Sequence, residues 1–169
     1  MTADAAFPFA DVERAVRKVE DPEIPITLGD LGVLRSIDVR EDSLRVVLRP
    51  TRLGCPARDR MERDIADAAR RVLPALRVDV EWEAEPWSES DVTSTGRAVL
   101  RAFGYADGTT VETECPYCGS AAVRADGSFG GALCKLPWTC RACGSTFDVL
   151  RSTAVAAPVV RRSGAMSHE

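Results

Sequence analysis

The sequence predicts an α+β fold: a small two-layer helix/sheet domain with the order α-β-β-α-β, followed by a C-terminal β module clamped by cysteines. Three observations predict it. Two long segments place apolar residues at helical spacing, three others alternate apolar with polar residues as half-buried strands do, and two Cys-x-x-Cys-Gly knuckles lie in the last third. At 169 residues and 45% hydrophobic content the chain can fill one core and carry a small appendage.

Residues 9–19 fit a short amphipathic helix, with Phe9, Val12, Val16 and Val19 on one stripe. Asp21-Pro22-Glu23-Ile24-Pro25 ends it, because two prolines remove two N–H donors and push the residues before them into extended conformations. Residues 33–39 alternate, and Leu44, Val46 and Leu48 do so again after a Glu41-Asp42-Ser43 turn, which predicts an antiparallel hairpin. A second helix is expected over 56–73, with Met61, Ile65, Ala68, Ala69 and Val72 on one face and Pro74 as its stop. Leu76, Val78, Val80 and Trp82 mark a strand that joins the hairpin, giving a sheet on one side and two helices on the other. A polar, proline-containing stretch leads to a modest helix over 91–103. Residues 1–84 are therefore expected to form the α+β domain, 85–109 a connector with a short helix, 110–150 the cysteine module, and 151–169, small and unpatterned, a disordered tail.

The knuckles are Cys115-Pro116-Tyr117-Cys118-Gly119 and Cys140-Arg141-Ala142-Cys143-Gly144. A two-residue gap turns both sulfurs of a pair toward one ion, and the glycine lets the backbone fold back without a Cβ clash. Cys115, Cys118, Cys140 and Cys143 are thus read as one structural zinc site, and the module as zinc-ribbon-like. Four closed sulfur ligands leave no open position for catalysis, so the function has to be sought elsewhere.

Composition excludes several classes. The 22 basic residues are mixed among 26 acidic ones for a net charge of −4, so the positive field behind nonspecific nucleic-acid binding is missing, and four thiolates around Zn²⁺ add about two more negative charges. No apolar run is long enough to span a bilayer, and six cysteines without a secretory start suit a reducing, cytoplasmic setting. The single histidine, His168, is one residue from the end, where no packed scaffold could hold an imidazole for catalysis. Gly-rich phosphate loops are absent, as is the Glu-x-x-His motif of di-iron helices.

Cys55 stands apart from the knuckles, in Pro50-Thr51-Arg52-Leu53-Gly54-Cys55-Pro56 just before the second expected helix. A thiol at a helix N-cap faces free backbone amides and the positive end of the dipole, which favours its thiolate; the competing reading is a small buried hydrophobe beneath the loop. Asp21 and Glu23 become ligands only if they converge on Cys55 in space. Cys134, a fifth cysteine within the ribbon, reads either as a free thiol on a strand or as a functional one whose thiolate Lys135 would favour.

Asp21-Pro22-Glu23-Ile24-Pro25, Asp30-Leu31-Gly32-Val33, Pro50-Thr51 and Gly54-Cys55-Pro56 together resemble the iron-sulfur assembly domain of SufT-like proteins and of the cytosolic iron-sulfur targeting machinery. The region from Val12 to Leu150 is similar to the D-subunit family of the phenylacetyl-CoA epoxidase system. That likeness adds Glu85-Pro86-Trp87-Ser88 and Gly96-Arg97 in the connector, then Phe129-Gly130, Cys134-Lys135 and Phe147-Asp148 in the ribbon. Arg52 and Leu53 replace the aromatic and small polar residues common between Pro-Thr and Gly-Cys-Pro, and Val92 replaces a second tryptophan.

The resemblance implies a non-catalytic accessory protein that assists maturation or repair of the iron-sulfur cluster in the reductase component, with transient iron or a cluster as cargo. It implies Cys55 as functional thiol, supported by Asp21, Glu23 and Thr51, with Cys134 as a possible additional thiol. Other epoxidase components would be the partners, with neither nucleic acid nor membrane involved. Two alternatives stay open: a stoichiometric structural or electron-transfer subunit whose ribbon holds iron, and a zinc-ribbon nucleic-acid binder.

Overall fold

The computed structural model describes residues 8–52, 54–85, 87–106, 113–127, 130–132 and 134–150; the expected disordered tail at 151–169 lies outside them, as do Leu53, Pro86 and Phe129. Its elements are α1 (Phe9–Arg17), β1 (Leu34–Val39), β2 (Ser43–Leu48), α2 (Arg58–Val72), β3 (Arg77–Trp82), a 3₁₀ turn (Glu89–Asp91), α3 (Ser94–Ala102), β4 (Tyr105–Ala106), β5 (Val123–Ala125), β6 (Lys135–Cys140) and β7 (Thr146–Leu150). The α+β expectation and its α-β-β-α-β order are met in the first half, and a cysteine-rich β module follows.

In the first sheet, β2 lies between β1 and β3, antiparallel to β1 and parallel to β3. The parallel pair follows from the chain between them: a crossover through α2 returns β3 in the same direction as β2, whereas a tight turn would reverse it. Leu44, Val46 and Leu48 of the central strand are fully buried. Against them pack Val12 and Val16 of α1, and Met61, Ile65, Ala68 and Ala69 of α2. The expected stripe of α1 is trimmed at its start: the helix ends at Arg17 with Val19 still buried, while Phe9 is 39% exposed. Trp82, at the end of β3, donates its indole N–H to Glu62 of α2 at 2.6 Å and carries the Arg58 guanidinium 4.7 Å over its ring, which fastens the sheet edge to the helix.

Polar anchors tie the connector to the first half. The Trp87 side chain is buried and donates to the Leu31 carbonyl at 2.8 Å. Thr93 caps α3 by accepting from the Gly96 N–H and donates its hydroxyl to Asp30 at 2.6 Å; this cap places the helix start at Ser94, three residues after the expected 91. A Cβ on Gly96 would lie 2.6 Å from the Asp30 carbonyl oxygen, so glycine is what lets helix and loop touch. Arg49, buried at the end of the first hairpin, pairs with Glu83 at 2.9 Å, Asp91 at 3.6 Å and Glu85, so that an otherwise costly buried charge binds the connector.

In the second sheet the order is β4-β7-β6-β5, with β5, β6 and β7 antiparallel in turn. A small cluster of its own, Ala106, Cys115, Cys140, Phe147 and Val149, sits under the knuckles. Leu150, Tyr105 and Cys134 instead join the large core that begins at Val12. One buried cluster therefore runs from the first helix into the ribbon. No helix among the described residues is long and apolar enough to cross a membrane.

Candidate metal and thiol sites

The four knuckle cysteines converge. Their sulfurs all lie within 4.8 Å of one another, with Cys115 to Cys143 at 3.8 Å and Cys118 to Cys140 at 3.6 Å. A tetrahedron with metal–sulfur bonds of about 2.3 Å has sulfur–sulfur edges of about 3.8 Å, so this donor set fits zinc. The two knuckles are built alike. Cys115 N–H donates to the Ser120 carbonyl at 3.0 Å and Cys140 N–H to that of Ser145 at 2.9 Å, while Gly119 and Gly144 each return an N–H to the first cysteine's carbonyl at 2.9 Å. Both glycines take the left-handed conformation, with φ of 71° and 77°, which a side chain would resist. Cys115 and Cys140 are buried, and Cys118 and Cys143 exposed. Among the four sulfurs the Ser145 hydroxyl and N–H lower the Cys143 thiol to about 6, while, against the Ser120 amide, the neighbouring sulfurs push the Cys118 thiol up to about 12.

The second group forms around the first long loop. The bridge between Glu20 and Thr27 closes this loop, and buried Ile24 and Ile26 anchor it. Asp21 turns its carboxylate back onto the loop, accepting from the N–H groups of Glu23 at 2.8 Å and Ile24 at 3.0 Å. Burial raises its pKa nonetheless, outweighing those two amides. Cys55 is half-buried, with its N–H donated to the Arg52 carbonyl at 3.1 Å. The charges of Asp21 and Glu23 act on this thiol, but among the described residues the only group of three or more donors close enough to hold a metal ion is the ribbon's four cysteines. Thr51 is buried in the same turn; among the described residues no hydrogen bond or ion pair links its side chain to Cys55, Asp21 or Glu23.

Two expectations about charge are corrected. Cys55 is not the N-cap of α2: Pro56 and Ala57 form a turn, Ala57 caps the helix, and α2 starts at Arg58. Burial pushes the Cys55 thiol up, and Asp21 and Glu23 push it further, against the Ala57 amide and Arg58, so the free thiol rests protonated at neutral pH. Lys135 likewise fails to win at Cys134, whose thiol burial raises to about 11 with help from Asp21, Glu23 and Cys55. The ammonium is engaged elsewhere, donating to the Glu23 carbonyl at 2.7 Å and lying 5.2 Å over the Tyr105 ring.

Those last contacts reveal what the sequence left scattered. Cys134 is 7% exposed, belongs to the large core, and senses the charges of Asp21, Glu23 and Cys55. The adjacent Cys134-Lys135 pair was its signal in the sequence, but nothing there placed it opposite a loop more than a hundred residues earlier.

Residues 10–82 match the family model described as iron-sulfur cluster assembly protein, and residues 102–151 the one described as PaaD zinc beta ribbon domain. A protein of Escherichia coli K12 that carries the name of a 1,2-phenylacetyl-CoA epoxidase D subunit is 28% identical over 148 residues, covering 79% of this chain and 87% of that protein. An Fe-S protein maturation auxiliary factor of Porphyromonas gingivalis is 32% identical over 93 residues, covering 51% of this chain and 89% of that protein. Among solved structures, a DUF59 domain of unknown function from Bacillus anthracis aligns with a TM-score of 0.49 at 19% identity, over 54% of this chain and 89% of that one.

Proposed function

Since the chain belongs to the family of the phenylacetyl-CoA epoxidase D subunit, an iron-sulfur assembly domain joined to a zinc ribbon, we propose that it is a non-catalytic accessory protein assisting maturation or repair of the iron-sulfur cluster in the epoxidase reductase. The observation that supports this reading is the match of residues 10–82, which contain Asp21, Glu23 and Cys55, to the iron-sulfur cluster assembly family. A soft sulfur and hard carboxylate oxygens suit iron that is to be passed on, because two or three donors leave coordination positions for the recipient. Thr51 is assigned to the wall of this site.

In this reading residues 1–84 handle the cargo, 85–109 connect, and 110–150 form a docking module held by zinc on Cys115, Cys118, Cys140 and Cys143. Bound zinc supplies folding energy to the ribbon and no chemistry to the cargo. The reductase is the partner, and the cytoplasm the setting. A second reading makes the chain a stoichiometric electron-transfer subunit, because four thiolates would also hold redox-active iron.

Metal analysis with a visible spectrum separates the two. Chain isolated anaerobically should carry about one equivalent of zinc, absorb no visible light, and retain reductase when used as bait. A coloured chain with one equivalent of iron in place of zinc would contradict the maturation reading and favour electron transfer.

A further inference from the structure

Building on the docking role given to the ribbon, we infer that the groove between the end of α3 and the first knuckle receives an exposed arginine side chain of the partner protein, stacked on Phe103 and Tyr117 and paired with Asp148. The two aromatic walls come from different parts of the chain. Phe103, at the C-cap of α3, is 62% exposed, and Tyr117, inside the first knuckle, is 59% exposed. Neither belongs to the two buried clusters, so their rings are not committed to the core. They meet at Gly104, whose φ is 81° and where a Cβ would run into the Tyr117 hydroxyl. Glycine thus lets the tyrosine lie across the turn that presents Phe103.

The floor is one face of the second sheet. Tyr105 of β4, Asp148 of β7 and Pro137 of β6 stand side by side there in register, under a groove of about 290 Å³. Asp148 is half-buried and is the one charged residue among the described residues that line the groove. Its carboxylate has neither a hydrogen bond nor an ion pair among the described residues. A half-buried carboxylate among aromatic rings, with no counter-charge paired to it, calls for a cation from outside.

Lys135 shows that this face already takes a cation. Its ammonium lies 5.2 Å over the Tyr105 ring and senses the Asp148 charge, yet it donates to the Glu23 carbonyl at 2.7 Å and makes no ion pair with Asp148. The basic residues of α3, Arg97 and Arg101, line a separate hollow with Leu150. Arginine suits the open position better than lysine. Its planar guanidinium stacks on an exposed ring while its N–H fork meets a carboxylate, and it gives up water more readily than an ammonium does. Aromatic residues and arginine are also the usual anchors at the centre of protein interfaces.

Calorimetric titration of the zinc-loaded full chain with purified reductase tests this. Asp148→Asn, which keeps the shape and removes the charge, and Phe103→Ser should each weaken binding about tenfold or more. Glu114→Gln, which removes an exposed carboxylate outside the groove, should change it less than about twofold. Unchanged zinc content and far-UV circular dichroism establish that the variants are folded. At matched ionic strength, millimolar N-acetylarginine amide should displace the reductase, its lysine counterpart should do so less well, and the uncharged citrulline counterpart should not. Wild-type binding that Asp148→Asn leaves intact overturns this inference alone. Displacement by the citrulline amide as strong as by the arginine amide overturns recognition of a cation, and equal displacement by lysine overturns the choice of arginine. Absence of any binding by the wild type overturns the inference together with the reductase as partner.

Discussion

Cells whose only copy of this chain carries Cys55→Ser will accumulate reductase with a depleted iron-sulfur cluster and oxidise phenylacetyl-CoA roughly tenfold or more slowly. The substitution exchanges one atom in a half-buried turn and leaves the Cys55 N–H bond to Arg52 in place, so the fold should lose no more than about 1 kcal/mol. What changes is the donor. A serine hydroxyl stays protonated at neutral pH and is a poor ligand for a soft metal, even with Asp21 and Glu23 alongside. The measurement is iron and sulfide per reductase, with turnover of the complete system and a melting curve of the variant. Full occupancy and normal turnover would falsify the role given to Cys55 and shift preference to a structural subunit acting through its ribbon.

Replacing Cys140 by serine should collapse the ribbon while residues 1–84 keep most of their secondary structure. Cys140 is fully buried, and it is both a donor to the four-sulfur cage and a member of the five-residue cluster beneath it. A structural zinc site contributes on the order of 10 kcal/mol to folding, more than so small an apolar cluster can replace. The first sheet with α1 and α2 has its own core, but Tyr105, Leu150 and Cys134 cover part of it. Their departure should lower the stability of the first half by about 2 to 4 kcal/mol, judged from the apolar area uncovered. Far-UV circular dichroism should retain the helical signal, with melting at lower temperature, and a zinc chelator should reproduce the effect in the unmodified chain. Complete loss of helix with the zinc would mean that the two halves fold only as one unit.

The features legible in the sequence are those that local pattern dictates. Apolar spacing at Val12 and Val16, and at Met61, Ile65 and Ala68, reports a helix face directly, and alternation at Leu44, Val46 and Leu48 reports a strand. The ribbon was equally plain, because knuckle spacing is a local consequence of tetrahedral coordination. Tertiary facts were not. That β3 runs parallel to β2 depends on where α2 returns the chain, and that Arg49 is buried depends on three carboxylates 34 to 42 residues further on. The thiols show the limit most clearly. Helix-dipole reasoning favoured a Cys55 thiolate, but an intervening Pro56-Ala57 turn and burial reverse the direction, and charge reasoning at Cys134 fails because burial outweighs the pull of the Lys135 ammonium. The contact of Lys135 with the Glu23 carbonyl, across 112 residues of sequence, has no local signature at all.

A maturation factor leaves its trace in its client, so the client is where that role is tested most directly. Reductase should be isolated anaerobically from two otherwise identical strains, one with and one without this chain, and its iron and acid-labile sulfide counted per polypeptide. Maturation predicts a depleted cluster in the strain lacking the chain, restored when the wild-type chain is resupplied and not when the Cys55→Ser chain is. Equal loading in both strains, with epoxidation lost only where the chain is missing, would contradict maturation and make the chain a working part of the complex itself.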